Sequence, residues 1–132
     1  ERVVSEQNWY HEQLMDHYRH PRHSGSINSP DFCSDSFNPS CGDSVQFMGN
    51  VTDVCISDIA FTGSGCVISQ AASSMLAERV KGKSISEVLS FKSEEMVALV
   101  GLKLGPNRMR CALLCLEALQ AGLQQYVKQQ AA

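Results

Sequence analysis

Residues 38–43 read Asn38-Pro39-Ser40-Cys41-Gly42-Asp43, and the rest of the chain is arranged about them. Asparagine, proline, serine and glycine make this stretch a turn, and the alternation that begins at Ser44 makes it a turn into a strand. A thiol and a carboxylate therefore stand two residues apart where a strand begins. Two later cysteines, Cys66 and Cys111, are placed to meet them. Each lies at or near the expected start of a helix, where unpaired N–H groups and the helix dipole favour a thiolate over a thiol. Four such side chains gathered at one point would make a metal or metal–sulfur centre.

Downstream of the turn the period is two. Val45, Phe47 and Val51 share parity, and after Thr52-Asp53 a second alternation carries Cys55, Ser57, Ile59 and Phe61, the pattern of an antiparallel hairpin. Cys55 is expected to pack rather than ligate. Gly63-Ser64-Gly65-Cys66 closes the strand and opens a helix over Val67 to about Lys81, with Ile68, Ala72, Met75, Leu76 and Val80 as its apolar stripe. Gly82 ends that helix, Ser84 and Glu87 form a capping box for a short one, and Ser93 caps another over Met96 to Val100. The last helix follows Gly105-Pro106-Asn107 and runs to about Lys128, with Cys111 in its first turn. Cys115, at i+4, could pair with Cys111 on a metal, but its place one turn deeper in the stripe makes packing the expectation.

Upstream, Tyr10, Leu14 and Tyr18, with Met15 beside them, mark an amphipathic helix over Asn8 to Tyr18, which ends before Pro21. Arg19 to Ser40, with three prolines and few apolar residues, is expected to be a long loop. His11, His17, His20 and His23 all fall in this opening third. Pro21 interrupts any common helical face, so solvated or hydrogen-bonding histidines are expected rather than a metal site. Cys33 has no partner at motif spacing and reads as an incidental thiol.

The chain has 132 residues, 43% of them hydrophobic and 19% charged, with net charge −3. That is one soluble domain with no membrane span and no basic surface for nucleic acid. The expected layout is a single domain over 1–132, with a helix and loop over 1–40 and a sheet-and-helix body over 41–132. The polar start, Glu1 to Gln7, lacks a secretory pattern, so a cytoplasmic, reducing compartment is expected. There, six cysteines point to metal or sulfur chemistry rather than disulfides.

Three thiolates and a carboxylate can complete a tetrahedral shell for Zn2+ or hold a [2Fe-2S] cluster. Asp43 would be the weak member of a cluster shell, since a carboxylate binds soft iron–sulfide less firmly than thiolate does.

The ordered set of motifs resembles the U-type iron–sulfur cluster assembly scaffolds, the IscU, SufU and NifU amino-domain family, over nearly the whole chain. His17-Tyr18 with Pro21-Arg22 and Gly25 is similar to the family's opening motif. Asn38-Pro39 with Cys41-Gly42-Asp43 is similar to its first ligand motif, Gly65-Cys66 to its second, and Arg110-Cys111 to its third; Val80-Lys81-Gly82-Lys83 also matches. The resemblance implies an α+β fold, a small antiparallel β-sheet with helices packed on it, and a ligand set of Cys41, Asp43, Cys66 and Cys111 near one exposed end. It also implies a cysteine desulfurase as sulfur donor, apo iron–sulfur proteins as acceptors, and Cys41 or Cys111 as the persulfide carrier. The role implied is a scaffold or carrier rather than an enzyme. A zinc-dependent sulfurtransferase is the alternative, and a structural zinc module that binds a partner is a more distant one.

Two departures bear on the branch. The IscU branch carries Leu-Pro-Pro-Val-Lys and then a histidine directly before the third cysteine. Here the stretch is Leu104-Gly105-Pro106-Asn107-Arg108-Met109-Arg110, so a dedicated Hsp70-type chaperone is not expected as a partner, and Arg110 cannot ligate a metal. A basic residue at that place is more like SufU, yet the insertion typical of SufU between the second and third cysteines is missing. Arg110 either pairs with Asp43 or orients a persulfide, or is a solvated arginine.

Overall fold

The computed structural model describes residues 6–40 and 42–131. Helix α1 (Glu6–Arg19) is followed by strands β1 (Phe32–Asn38), β2 (Asp43–Thr52) and β3 (Cys55–Ser64). Helices α2 (Val67–Val80), α3 (Ile85–Leu89), α4 (Ser93–Val100) and α5 (Pro106–Ala131) complete the chain. The strands form one antiparallel sheet in the order β1-β2-β3, with α5 lying against β1 and β2, α2 against β3, and α1 packed on α2. This is the expected α+β architecture. Among the described residues no helix is long and apolar enough to cross a membrane.

The hairpin forms as its alternation requires, with Val45 opposite Gly63 and Phe47 opposite Phe61. Its two-residue turn holds Asp53 and Val54 at φ 52° and 58°, the turn geometry whose twist suits a hairpin. The parity expected for β3 holds only in its second half. The register shifts beyond Asn50, so Ile56 rather than Ser57 faces the core, and Ser57 turns its hydroxyl onto Asn50 O at 3.2 Å. Such a bulge reverses which side chains point inward.

The expected long loop over Arg19 to Ser40 is corrected by β1. Its residues pair with β2 from Phe32↔Gly49 to Asn38↔Asp43. The strand's alternation is carried by Ser34, Ser36 and Asn38, which give no apolar signal, and its partners supply the burial. Gly49 leaves room for the Phe32 ring, where a Cβ would come within 2.4 Å. Gly122 on α5 lets that helix approach Ser34, where a Cβ would come within 2.8 Å. The remaining link is tied to the outer edge of β3, as Gly25 N–H donates to Phe61 O and Phe61 N–H to His23 O, both at 2.9 Å.

Helix α1 also turns differently from its expected stripe. Leu14 is buried, but Tyr18 is exposed and His17 takes the inward place beside α2. There His17 Nδ1 meets Ser74 Oγ at 2.8 Å, and the same oxygen accepts the Arg22 N–H at 2.8 Å. The other ring nitrogen, Nε2, faces Glu78 Oε1 at 3.7 Å. Burial, then the Arg22 charge, pushes the His17 pKa below 6.5 against the opposing pull of Glu78 and Asp16.

The caps of α2 and α3 fall where expected. Gly82 (φ 86°) follows the C-cap of α2, and Ser84 and Glu87 exchange hydrogen bonds at 3.0 and 3.1 Å. Helix α4 differs: Lys92, not Ser93, is the N-cap, and Glu95 reaches back to its N–H at 2.9 Å. The core between sheet and helices centres on Phe47, Ile59, Leu76, Met96, Leu119 and Leu123, each contributing about 1.5–3 kcal/mol by burial.

Candidate metal centre

The strand ends away from the hairpin turn, together with the N-terminal ends of α2 and α5, bring three of the four expected ligands together. Asp43 opens β2, Cys66 is the N-cap of α2, and Cys111 is the sixth residue of α5. One ligand atom from each lies within 4.8 Å of the others. Asp43 is fully buried, Cys111 is buried and Cys66 half-buried. The fourth expected ligand, Cys41, lies outside the described residues.

Local geometry explains how the carboxylate is held. Gly65, at φ 126°, turns the chain from β3 into α2 directly over Asp43. A Cβ there would lie 2.0 Å from Asp43 Oδ1, so only glycine admits this approach. The turn aims the Cys66 N–H at Oδ1 (2.8 Å), while the Cys66 thiol donates to Oδ2 at 3.3 Å. The helix in turn supports the sulfur, as Ser69 N–H donates to Cys66 Sγ at 3.4 Å. A thiol that gives its proton to a carboxylate, and whose sulfur already accepts an N–H, is arranged to become a thiolate when a cation replaces that proton. Two soft sulfurs and one hard oxygen, able to converge on one point, fit Zn2+ or iron.

Cys111 departs from its expected place in the first turn. As the sixth residue of α5 it lies beyond the four unpaired N–H groups, whereas Cys66 is the N-cap of α2. The other cysteines stay apart from the centre. Cys115 is fully buried one turn deeper, where burial pushes its thiol up to about 12, in keeping with the packed role expected of it. Cys55 is part-buried at the turn end of the hairpin, bridged to Ser84, and Cys33 is exposed on β1.

An apolar groove of ≈ 690 Å³ opens onto Cys66 and Cys111, between α1, the start of α2 and the link from α4 to α5. Leu14, Met15, Ile68, Leu102 and Leu104 line it, with His11, Lys103 and Arg108 among them. Arg110, singled out in the sequence, is exposed and does not line this groove; Arg108, three residues before Cys111, does. The i, i+3 spacing on α5 carried that signal.

The chain is similar to several known proteins. The zinc-dependent sulfurtransferase SufU of Bacillus subtilis is 32% identical over 131 residues, covering 86% of this chain and 88% of that protein. The iron–sulfur cluster assembly scaffold protein IscU of Aquifex aeolicus is 35% identical over 124 residues, covering 92% and 78%. Among solved structures, FiSufU of Fervidobacterium islandicum superposes with TM-score 0.75 at 27% identity, covering 85% of this chain and 94% of that one. A NifU-like protein of Brucella abortus, at 20% identity and TM-score 0.75, shares the fold. Residues 9–132 match the family described as NifU-like N terminal domain, and with relatives of this similarity over most of its length the chain belongs to that family, which includes the IscU- and SufU-type iron–sulfur scaffold proteins.

Proposed function

We propose that this protein is an assembly scaffold that accepts sulfur from a cysteine desulfurase, builds a labile iron–sulfur cluster, and passes it to acceptor proteins. The observation that carries this is the convergence of Asp43, Cys66 and Cys111 within 4.8 Å at the mouth of an apolar groove. Cys41 completes the ligand set in this proposal, being two residues from Asp43.

In the sulfur step a thiolate, at Cys41 or Cys111, attacks the outer sulfur of the donor's cysteine persulfide. The donor's S–S bond breaks as the new one forms, and the donor leaves as a thiolate, with no net oxidation. Cys111 is reached through the groove, whose Arg108 and Lys103 favour an approaching anion. The finished [2Fe-2S] cluster is cargo. Asp43 gives it an oxygen ligand that exchanges more readily than a thiolate, so release to an acceptor can begin there.

Anaerobic reconstitution with ferrous iron, cysteine, a cysteine desulfurase and a dithiol reductant, which supplies the electrons that take persulfide sulfur to sulfide, tests the proposal. A chromophore that forms on the protein and moves to an apo-ferredoxin is expected, and Asp43→Ala should slow that transfer by about 10-fold or more. Transfer at the unaltered rate would remove the carboxylate from the release step.

A second reading is favoured by the likeness to the Bacillus SufU and by Arg110, which cannot ligate, directly before Cys111. Here Zn2+ would be held by Cys41, Asp43, Cys66 and Cys111, and would supply a positive centre that keeps the thiolates deprotonated. Stimulation of the desulfurase that vanishes on chelation and returns with Zn2+, without a chromophore, would establish this reading over the first.

A further inference from the structure

Ser69 is fully buried on α2, and its hydroxyl has no hydrogen-bond partner. A helical serine commonly turns its hydroxyl onto the carbonyl four residues back. Ser73 and Ser90 do so, onto Ser69 O and Ser86 O, each at 2.9 Å. For Ser69 that carbonyl is Gly65 O, which instead accepts the Gln70 side-chain amide at 3.1 Å. A buried hydroxyl without a partner is costly and uncommon. Alanine would fill nearly the same space, as it does at the neighbouring buried positions Ala71 and Ala72.

What faces this hydroxyl follows from the way α2 and α5 run. Near their starts, Cys66 and Cys111 approach within 4.8 Å; further along, Ser73 bears on the Cys115 thiol. The helices therefore advance side by side in the same sense. Ser69 precedes Ser73 by one turn, as Cys111 precedes Cys115, so Ser69 stands at the level of the site's sulfurs. Its backbone N–H already donates to one of them, Cys66 Sγ.

We infer that the Ser69 hydroxyl is a sulfur-directed donor, reserved for an O–H···S hydrogen bond to a metal-bound thiolate of Cys66 or Cys111. The inference rests on the reading of Asp43, Cys66 and Cys111 as metal ligands. Ser69 is then a positioning residue that acts through its neighbour's sulfur. Among the described residues no acceptor lies within hydrogen-bond reach of this hydroxyl. When a cation displaces the thiol proton, a thiolate offers the negative charge that such a donor meets best. Binding of a cation would thus relieve the cost of the unsatisfied hydroxyl.

The test is titration of the unaltered protein, Ser69→Ala and Ser69→Thr with Co2+ and Zn2+. Chelator competition gives affinity, the near-ultraviolet thiolate-to-cobalt band reports electron density on sulfur, and thermal unfolding is followed without metal. Ser69→Ala is expected to weaken Zn2+ binding by about 10-fold, to move the cobalt band to lower energy, and to unfold without metal at the same or a higher temperature. Ser69→Thr, which keeps the hydroxyl, should restore the band. Unchanged affinity and an unchanged band in Ser69→Ala would overturn the inference, as would weaker binding that merely follows a lower unfolding temperature. If the unaltered protein took up neither ion, the metal-site reading would fall first; uptake that Ser69→Ala leaves alone removes only the role of Ser69.

Discussion

Cys111 and Cys115 lie on one face of one helix, a single turn apart, and the chemistry of the two positions differs completely. Cys111 meets Cys66 and the carboxylate of Asp43, and it lines the groove. Cys115 meets Ser73 and the packed interior, where its thiol is held protonated by the loss of solvent. The same side chain serves as a candidate ligand in one layer and as core filling in the next. What separates the layers is convergence with the other candidate ligands and access to the groove, not residue type or helical position alone.

The largest effect should come from exchanging the sulfurs. Cys66→Ser or Cys111→Ser should reduce Zn2+ affinity by more than about 100-fold, exceeding the usual loss from a supporting residue, as read by chelator competition. Cys115→Ala should leave the affinity unchanged and cost about 1–2 kcal/mol in denaturant unfolding through the space it vacates. Loss of binding in Cys115→Ala would erase the distinction between the layers. Ligand variants that unfold outright would favour a structural metal instead.

A smaller effect is expected at the turn that joins the site to the sheet. Gly65→Ala places a Cβ against Asp43 at a φ that alanine resists, which should cost about 1–3 kcal/mol. Because the carboxylate is pushed off the Cys66 N–H, metal affinity should fall as well. Circular dichroism melts together with metal titration would separate the two losses, and a variant with both values intact would show that Asp43 does not need this cradle.

The smallest effect belongs to the deeper layer's far side, at His17. Its folded-state pKa lies below 6.5, so the unfolded chain binds more protons over that interval and stability rises with pH. The contribution is present above 6.5 and is lost as pH falls through the folded-state value. His17→Gln, which can keep a hydrogen bond to Ser74, should flatten the acid side of a stability–pH profile below 6.5. An equally steep loss in the variant would assign the acid sensitivity to other groups.

Much of the fold was legible because burial follows sequence period: the hairpin, α2 and α5 all announce themselves through apolar spacing. Strand β1 did not, since its inward residues are mostly polar and its burial is supplied by Gly49 and Gly122, which lie elsewhere in the chain. Helix α1 turns differently from its apolar stripe for a related reason. A histidine faces inward because Ser74, far away in sequence, is there to meet it. At the site, Asp43, Cys66 and Cys111 were legible as residue types at turns and helix starts. Ser69 was not, because nothing in its own neighbourhood sets a serine apart from any other, and Arg108 was signalled only by its i, i+3 spacing from Cys111.

By itself, then, the sequence determined which groups could do the chemistry: thiols and a carboxylate at chain reversals, with glycines that permit them to approach. Only the tertiary structure decided which of them meet. Helices α2 and α5 start at the same end of the sheet, and Gly65 folds Cys66 over Asp43, so residues far apart in the chain come within 4.8 Å. Helix periodicity places a side chain on a face, but its reactivity depends on charge and solvent supplied by other elements. That dependence makes Cys111 a candidate ligand and Cys115, one turn further on, part of the core.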